Sequence, residues 1–144
     1  MAWTKSAIEQ FLTVHLAAGK VMDLGEIANA YHDPFMFAGP SGVRVIPVKP
    51  LLAALPARRA FFDSVGQQGT ELVSFEETVL DDRYALVKAH LRMRFVRSDV
   101  TKEALLDSTF VLFDDGQRPR IVFHLDSENV EQALRDRGIL PRET

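Results

Sequence analysis

The stretch "RYALVKAHLRMRFVR", residues 83–97, decides the fold. Ala85, Val87, Ala89, Leu91, Met93 and Phe95 alternate with Lys88, His90, Arg92 and Arg94. A period of two over so many residues predicts one long strand with an apolar face and a cationic face. Similar texture surrounds it. "TELVSFEETVL" precedes it, and "EALLDSTFVLF" follows it. The turn "DDGQ" then leads into "RIVFHLD", residues 120–126, so the second half of the chain reads as an antiparallel meander.

Upstream the pattern is helical. Ser6 and Glu9 form an S-x-x-E capping box, and Ile8, Phe11, Leu12, His15 and Leu16 make one apolar stripe of a helix running to about Gly19. Asp23 suits the N-cap of a shorter helix, "DLGEIANAY". "HDPFMFAGPSGVRVI" reads as a short hairpin broken at Gly39-Pro40-Ser41-Gly42. Pro56 suits the first turn of a third helix, "PARRAFFDSVG", which Gly66 ends, and "SENVEQALRDRG" closes the chain as a short helix. Helices followed by a strand meander predict an α+β fold, a curved antiparallel sheet wrapped around a long N-terminal helix.

Bulk composition narrows the function classes. The chain has 144 residues, 47% apolar and 26% charged, which predicts one soluble domain over residues 1–144. A net charge of −3 gives no basic field for nucleic acid or an anionic membrane. The row Lys88, His90, Arg92 and Arg94 has no aromatic residues on its own face, so it reads as an outer sheet face paired with Glu76 or Glu77, or with a second subunit. Cysteine is absent, which excludes disulfides, thiolate metal sites and thiol nucleophiles and fits a cytoplasmic protein. The opening "MAWTKSAIEQFL" lacks the features of a signal peptide, and no apolar run reaches the about 18 residues of a membrane span.

The order of "IEQFLTVHLAAGKVMDLGEIANAYHDPFMFAGPSG", "RRAFFDSVG", "YALVKAHLRMRF" and "IVFHLD" resembles the nuclear transport factor two-like superfamily. This is a cone-shaped, cystatin-like α+β fold, and the resemblance covers nearly the whole chain. "IVFHLD" is similar to the I-V-x-H-W-D ending common in the SnoaL-like branch, with Leu125 in place of tryptophan. The resemblance implies a deep, mostly apolar pocket between sheet and helices, and homodimers formed through the outer sheet face. It does not fix a function, because the superfamily includes isomerases, cyclases, dehydratases and members without chemistry.

His124 and Asp126 carry the sharpest question. Strict alternation in "RIVFHLD" would put Ile121, Phe123 and Leu125 inside. The resemblance implies instead that His124 and Asp126 face the pocket, which is the expected orientation. An aspartate at the place of Asp126 is the acid/base of SnoaL-like cyclases, a role that requires burial to pull its pKa toward neutrality. The plainer alternative is a satisfied pocket histidine beside an aspartate that caps "SENV".

His15, inside the apolar stripe, falls where the resemblance places the oxyanion-stabilising tyrosine of ketosteroid isomerase. It reads either as a hydrogen-bond donor to a ligand or as a buried histidine paired with a neighbour. Gly39 stands where that isomerase has its general-base aspartate, and Thr109 falls near its aspartate donor, so steroid isomerisation is not expected. Asp107 and Thr109 share one strand face and are candidate pocket residues. Tyr31, Phe35 and Phe37 are candidate pocket wall, with Phe61 and Phe62 as core or wall. His15, His32, His124 and Asp126 match no metal-ligand spacing, so no metal and no cofactor is expected.

The expected function is therefore binding of a small, mostly apolar molecule. Two alternatives stay open. One is a SnoaL-like lyase or isomerase moving protons through Asp126 and His124. The other is a non-catalytic dimeric interaction module whose cavity its own side chains fill.

Overall fold

The computed structural model describes residues 3–141, so residues 1–2 and 142–144 of the expected span lie outside the described residues. Helices α1 (Lys5–Val21) and α2 (Leu24–Ala30) lead into the hairpin of β1 (Tyr31–Gly39) and β2 (Gly42–Ile46). Helix α3 (Val48–Ser64) follows, then β3 (Gln67–Val79), β4 (Tyr84–Arg97), β5 (Val100–Asp114), β6 (Pro119–Asp126) and α4 (Val130–Asp136). The strands form one curved, unclosed sheet in the order β2-β1-β6-β5-β4-β3. The α+β architecture is the expected one. The sheet departs from purely antiparallel pairing at β1–β6, which run parallel. No short turn joins those two strands, so nothing local imposes an antiparallel direction when β6 returns beside β1.

Strand β4 follows its alternation. Ala85, Val87 and Ala89 are fully buried on the inner face, beside Ile8, Leu12, Phe110 and Leu112 of the same core cluster. A second cluster joins Phe62, Met93, Phe95 and Leu106 to Leu134 and Ile139 near α4. On the outer face the cations meet neighbouring carboxylates: His90 with Glu76 at 3.5 Å and Asp107 at 2.7 Å, and Arg92 with Glu71 at 3.1 Å. These cross-strand pairs account for the cationic row without nucleic acid.

Local caps set the helix boundaries, two of them differently from the sequence expectation. Helix α1 starts before the Ser6–Glu9 box, because Thr4 is the N-cap and its hydroxyl accepts the Ala7 N–H at 3.0 Å. Its far end is closed by Met22 in the left-handed conformation. Asp23 caps α2 as expected, accepting the Glu26 N–H at 3.1 Å. Helix α3 begins at Val48, whose N–H is taken by Asp33 Oδ1 of β1 at 3.0 Å, so Pro56 lies inside the helix and not in its first turn. The extra turns carry Leu51 and Leu55 over the sheet. Gly66 ends the region at φ +89, where a Cβ would stand 2.1 Å from the Val96 carbonyl oxygen, so only glycine fits there.

Candidate functional site

A β-bulge decides which side chains of β6 face inward. Leu112 pairs with Ile121 and Val111 pairs with Phe123, so Val122 is the extra residue on β6. An extra residue reverses the alternation beyond it. Ile121 is therefore on the inner face at 0% exposure, and beyond the bulge His124 opposite Phe110 and Asp126 opposite Ser108 also face inward. Phe123 and Leu125 are turned to the outer face, opposite Val111 and Thr109, and are partly exposed. Ile121 thus follows simple alternation, and His124 and Asp126 follow the resemblance.

Asp126 Oδ1 accepts two hydrogen bonds, from Ser108 Oγ at 2.6 Å and from His124 Nε2 at 2.9 Å. A carboxylate only accepts, so in this contact His124 donates from Nε2, and Nδ1 is the ring's other nitrogen. Burial pushes the Asp126 carboxyl up, but the hydrogen bond and charge of His124, the Ser108 hydroxyl and the charge of Arg58 together hold it below the ordinary carboxylate value. The acid/base role that the resemblance implies for Asp126 requires the opposite shift. Asp126 is an ionised group that orients His124. The imidazole is gripped by aromatic rings, Phe110 at 4.7 Å and Phe37 at 5.2 Å between centroids.

His15 of α1 and Tyr31 of β1 lie on the same cavity. Their rings meet edge to face at 5.5 Å, and Phe11 stacks on His15 at 6.2 Å. His15 Nδ1 is buried without a hydrogen-bond partner among the described residues. Burial, reinforced by the neighbouring His124, lowers the His15 pKa to about 4, so this imidazole is neutral near pH 7. Burial, reinforced by the Asp126 charge, raises the Tyr31 phenol above its ordinary value, so it stays protonated and able to donate.

These groups form one polar corner of a cavity of about 520 Å³ between the inner sheet face and helices α1 and α3. Its walls are otherwise mostly apolar, including Leu51, Leu55, Phe62, Leu91, Met93 and Leu106. The exposed lining residues Lys20, Arg58 and Gln68 mark its mouth.

Of the residues expected at the site, His15, Tyr31, His124 and Asp126 line the cavity. Phe35 and Phe37 stand behind them, against Tyr31 at 4.4 Å and against His124. Asp107 borders the cavity, yet its carboxylate is bound to His90 on the outer face. Thr109 is corrected: it pairs with Lys88 and Leu125 on the outer face, because the inner positions of β5 have the parity of Leu106, Ser108, Phe110 and Leu112. Ser108 and Arg58 were missed. The same parity signals Ser108, whereas Arg58 follows only from the placement of α3. His32 lies apart and donates from Nδ1 to the Pro34 carbonyl at 2.8 Å. Among the described residues no three His, Asp or Glu side chains come together as a metal site, and no helix is long and apolar enough to cross a membrane.

No protein-family model and no curated protein matches the sequence. Solved structures do. Aln2 from a Streptomyces species is 14% identical with a TM-score of 0.73, over 95% of this chain and 100% of that one. An NTF2-like protein with a cystatin-like fold from Novosphingobium aromaticivorans is 12% identical with a TM-score of 0.72, over 96% and 89%. The beta subunit of the benzoate 1,2-dioxygenase from Burkholderia mallei is 14% identical with a TM-score of 0.70, over 92% and 95%. At these identities the likeness establishes the fold: the chain has the cystatin-like fold of NTF2-like (nuclear transport factor two-like) proteins.

Proposed function

We propose that this NTF2-like fold serves to bind a small, mostly apolar molecule, with His15, Tyr31, His124 and Asp126 as its polar contacts. The observation that carries the reading is the cavity of about 520 Å³, whose apolar walls converge on one polar corner. That volume lies within the about 300–1,000 Å³ common for small-molecule sites. The unpartnered His15 Nδ1 supports the same reading, since a buried polar atom without a partner is costly unless something else meets it. An interaction module with a self-filled cavity fits this open volume poorly. Calorimetric titration with naphthamide, a neutral planar probe, tests the proposal. Binding by the wild type, abolished in a folded Leu91→Trp variant that fills the cavity, is the expected result. Unchanged binding in that variant counts against it.

A second reading is favoured by the Ser108–Asp126–His124 chain. Asp126 fixes the tautomer of His124, leaving Nδ1 as a general base, and the neutral His15 and protonated Tyr31 are donors for a developing oxyanion. Such a set suits a cofactor-independent lyase or isomerase of SnoaL-like type that removes a proton next to a carbonyl. In it His124, not Asp126, is the base. Both readings are compatible with a homodimer through the outer sheet face. Leu105 is 60% exposed there, Leu86 is exposed too, and Val111, Phe123 and Leu125 lie on the same face.

A further inference from the structure

Two consecutive arginines of α3 line the cavity, and they differ in what they touch. Arg59 is engaged through Nε and Nη1. Its Nε donates to both Asp63 oxygens, at 3.0 and 3.1 Å, and its Nη1 donates to the Gly19 carbonyl at 3.1 Å and to the Lys20 carbonyl. It clamps α3 to the end of α1. Arg58 has no hydrogen bond and no ion pair with any described residue. Its guanidinium carbon lies 5.1 Å from the centroid of Phe62, a cavity-wall residue, so the cation is held over the wall.

The other charges around the cavity sharpen the contrast. Asp63 is taken by Arg59, Glu128 by Arg137 at 3.2 Å, Asp107 by His90, and Asp126 by His124 and Ser108. Every carboxylate that lines the cavity thus has a partner. Among the described residues Arg58, and Lys20 with its stem beside Gly69, keep unpaired positive charge at the mouth.

We propose that the cavity's ligand is a carboxylate with an apolar body, whose carboxyl group is seated on Arg58 at the mouth while the body lies on the apolar walls. This rests on the reading of the cavity as a small-molecule site. The planar guanidinium matches a carboxylate in a two-point hydrogen bond. Orientation follows from charge: the ionised Asp126 repels an anion from the deep corner, so the uncharged end of the molecule meets His15, Tyr31 and His124. The charge of Arg58 is felt at both Asp126 and Tyr31, which places it within electrostatic reach of that corner.

The test compares naphthoate with the isosteric naphthamide by calorimetry at low salt. The wild type is expected to bind naphthoate about tenfold more tightly, the scale of one charge-assisted contact. Arg58→Leu should remove that preference by weakening naphthoate far more than naphthamide, and Arg58→Lys should keep part of it. Equal binding of the two probes by the wild type overturns the inference and leaves the cavity reading standing. Loss of the preference in Lys20→Gln with its retention in Arg58→Leu also overturns it, as does about tenfold tighter binding of naphthyl phosphate than of naphthoate. Binding of neither probe overturns both the inference and the cavity reading.

Discussion

His124 Nε2 and Asp126 Oδ1 meet at 2.9 Å on the inner face of β6, although alternate residues of a strand are spaced about 7 Å apart along its axis. The two side chains lean together, and Ser108 of β5 holds the carboxylate from its other side. The outcome is a carboxylate held from two sides and an imidazole whose Nε2 is fixed on it.

The depressed carboxyl of Asp126 makes an acid-side prediction. Its folded pKa lies below the unfolded value, so its stabilisation is present above about pH 4 and is lost as pH falls through the folded pKa. Urea unfolding at a series of pH values should show wild type losing stability below about pH 4 more steeply than Asp126→Asn. Near pH 7 the variant should be about 1–3 kcal/mol less stable, since the charge-assisted bonds are gone. Parallel acid limbs in the two proteins would show that Asp126 is not the group responsible.

His15 acts in a separate window. Its folded pKa of about 4 lies below the ordinary 6.5, so between those values the unfolded chain binds the proton more readily. Stability should therefore fall as pH drops from about 6.5 toward 4, and His15→Leu should flatten that part of the profile. Denaturation midpoints at about pH 7 and about pH 5 check this. An equal drop in the variant would assign the loss to another group.

Backbone caps give a prediction independent of the site. Thr4→Ala should cost about 1 kcal/mol of unfolding free energy, because the Ala7 N–H loses its acceptor, whereas Ser6→Ala should stay within about 0.5 kcal/mol. The reverse ranking, measured by chemical denaturation, would return the helix start to the S-x-x-E box.

Assembly through the outer face predicts a dimer in sedimentation equilibrium, converted to monomer by Leu105→Asp. Leu105 is 60% exposed in the single chain, so this change should leave the monomer folded. A wild-type monomer at high micromolar concentration would rule out the proposed interface.

The sequence was most legible where one period ran uninterrupted. Strand β4 keeps its alternation from Ala85 to Phe95, and the meander around it follows from pattern and turns alone. It was least legible where one residue breaks the count. Val122 adds a residue to β6, which lets Ile121, His124 and Asp126 share a face; alternation has no means of showing this, and family resemblance supplied the orientation. Thr109 was misplaced although its own strand carried the answer, because Leu106, Phe110 and Leu112 fix Ser108 as the inward residue. The early start of α3 was hidden because Pro56 suits the first turn of a helix, whereas the helix begins at Val48 and carries Pro56 inside it. With that start went Leu51 and Leu55 of the cavity wall. The parallel β1–β6 pair has no local signature, since it is set by how distant segments dock.

The four histidines together report whether the polar corner meets what the cavity binds. His15 and His124 line the cavity, whereas His32 and His90 lie outside it. Nitrogen-detected NMR of the imidazole side chains during titration with naphthamide reads all of them at once. The His15 and His124 ring nitrogens are expected to shift with saturable ligand dependence while His32 and His90 stay in place. Saturable shifts confined to His32 or His90, with His15 and His124 unmoved, would refute the proposed site.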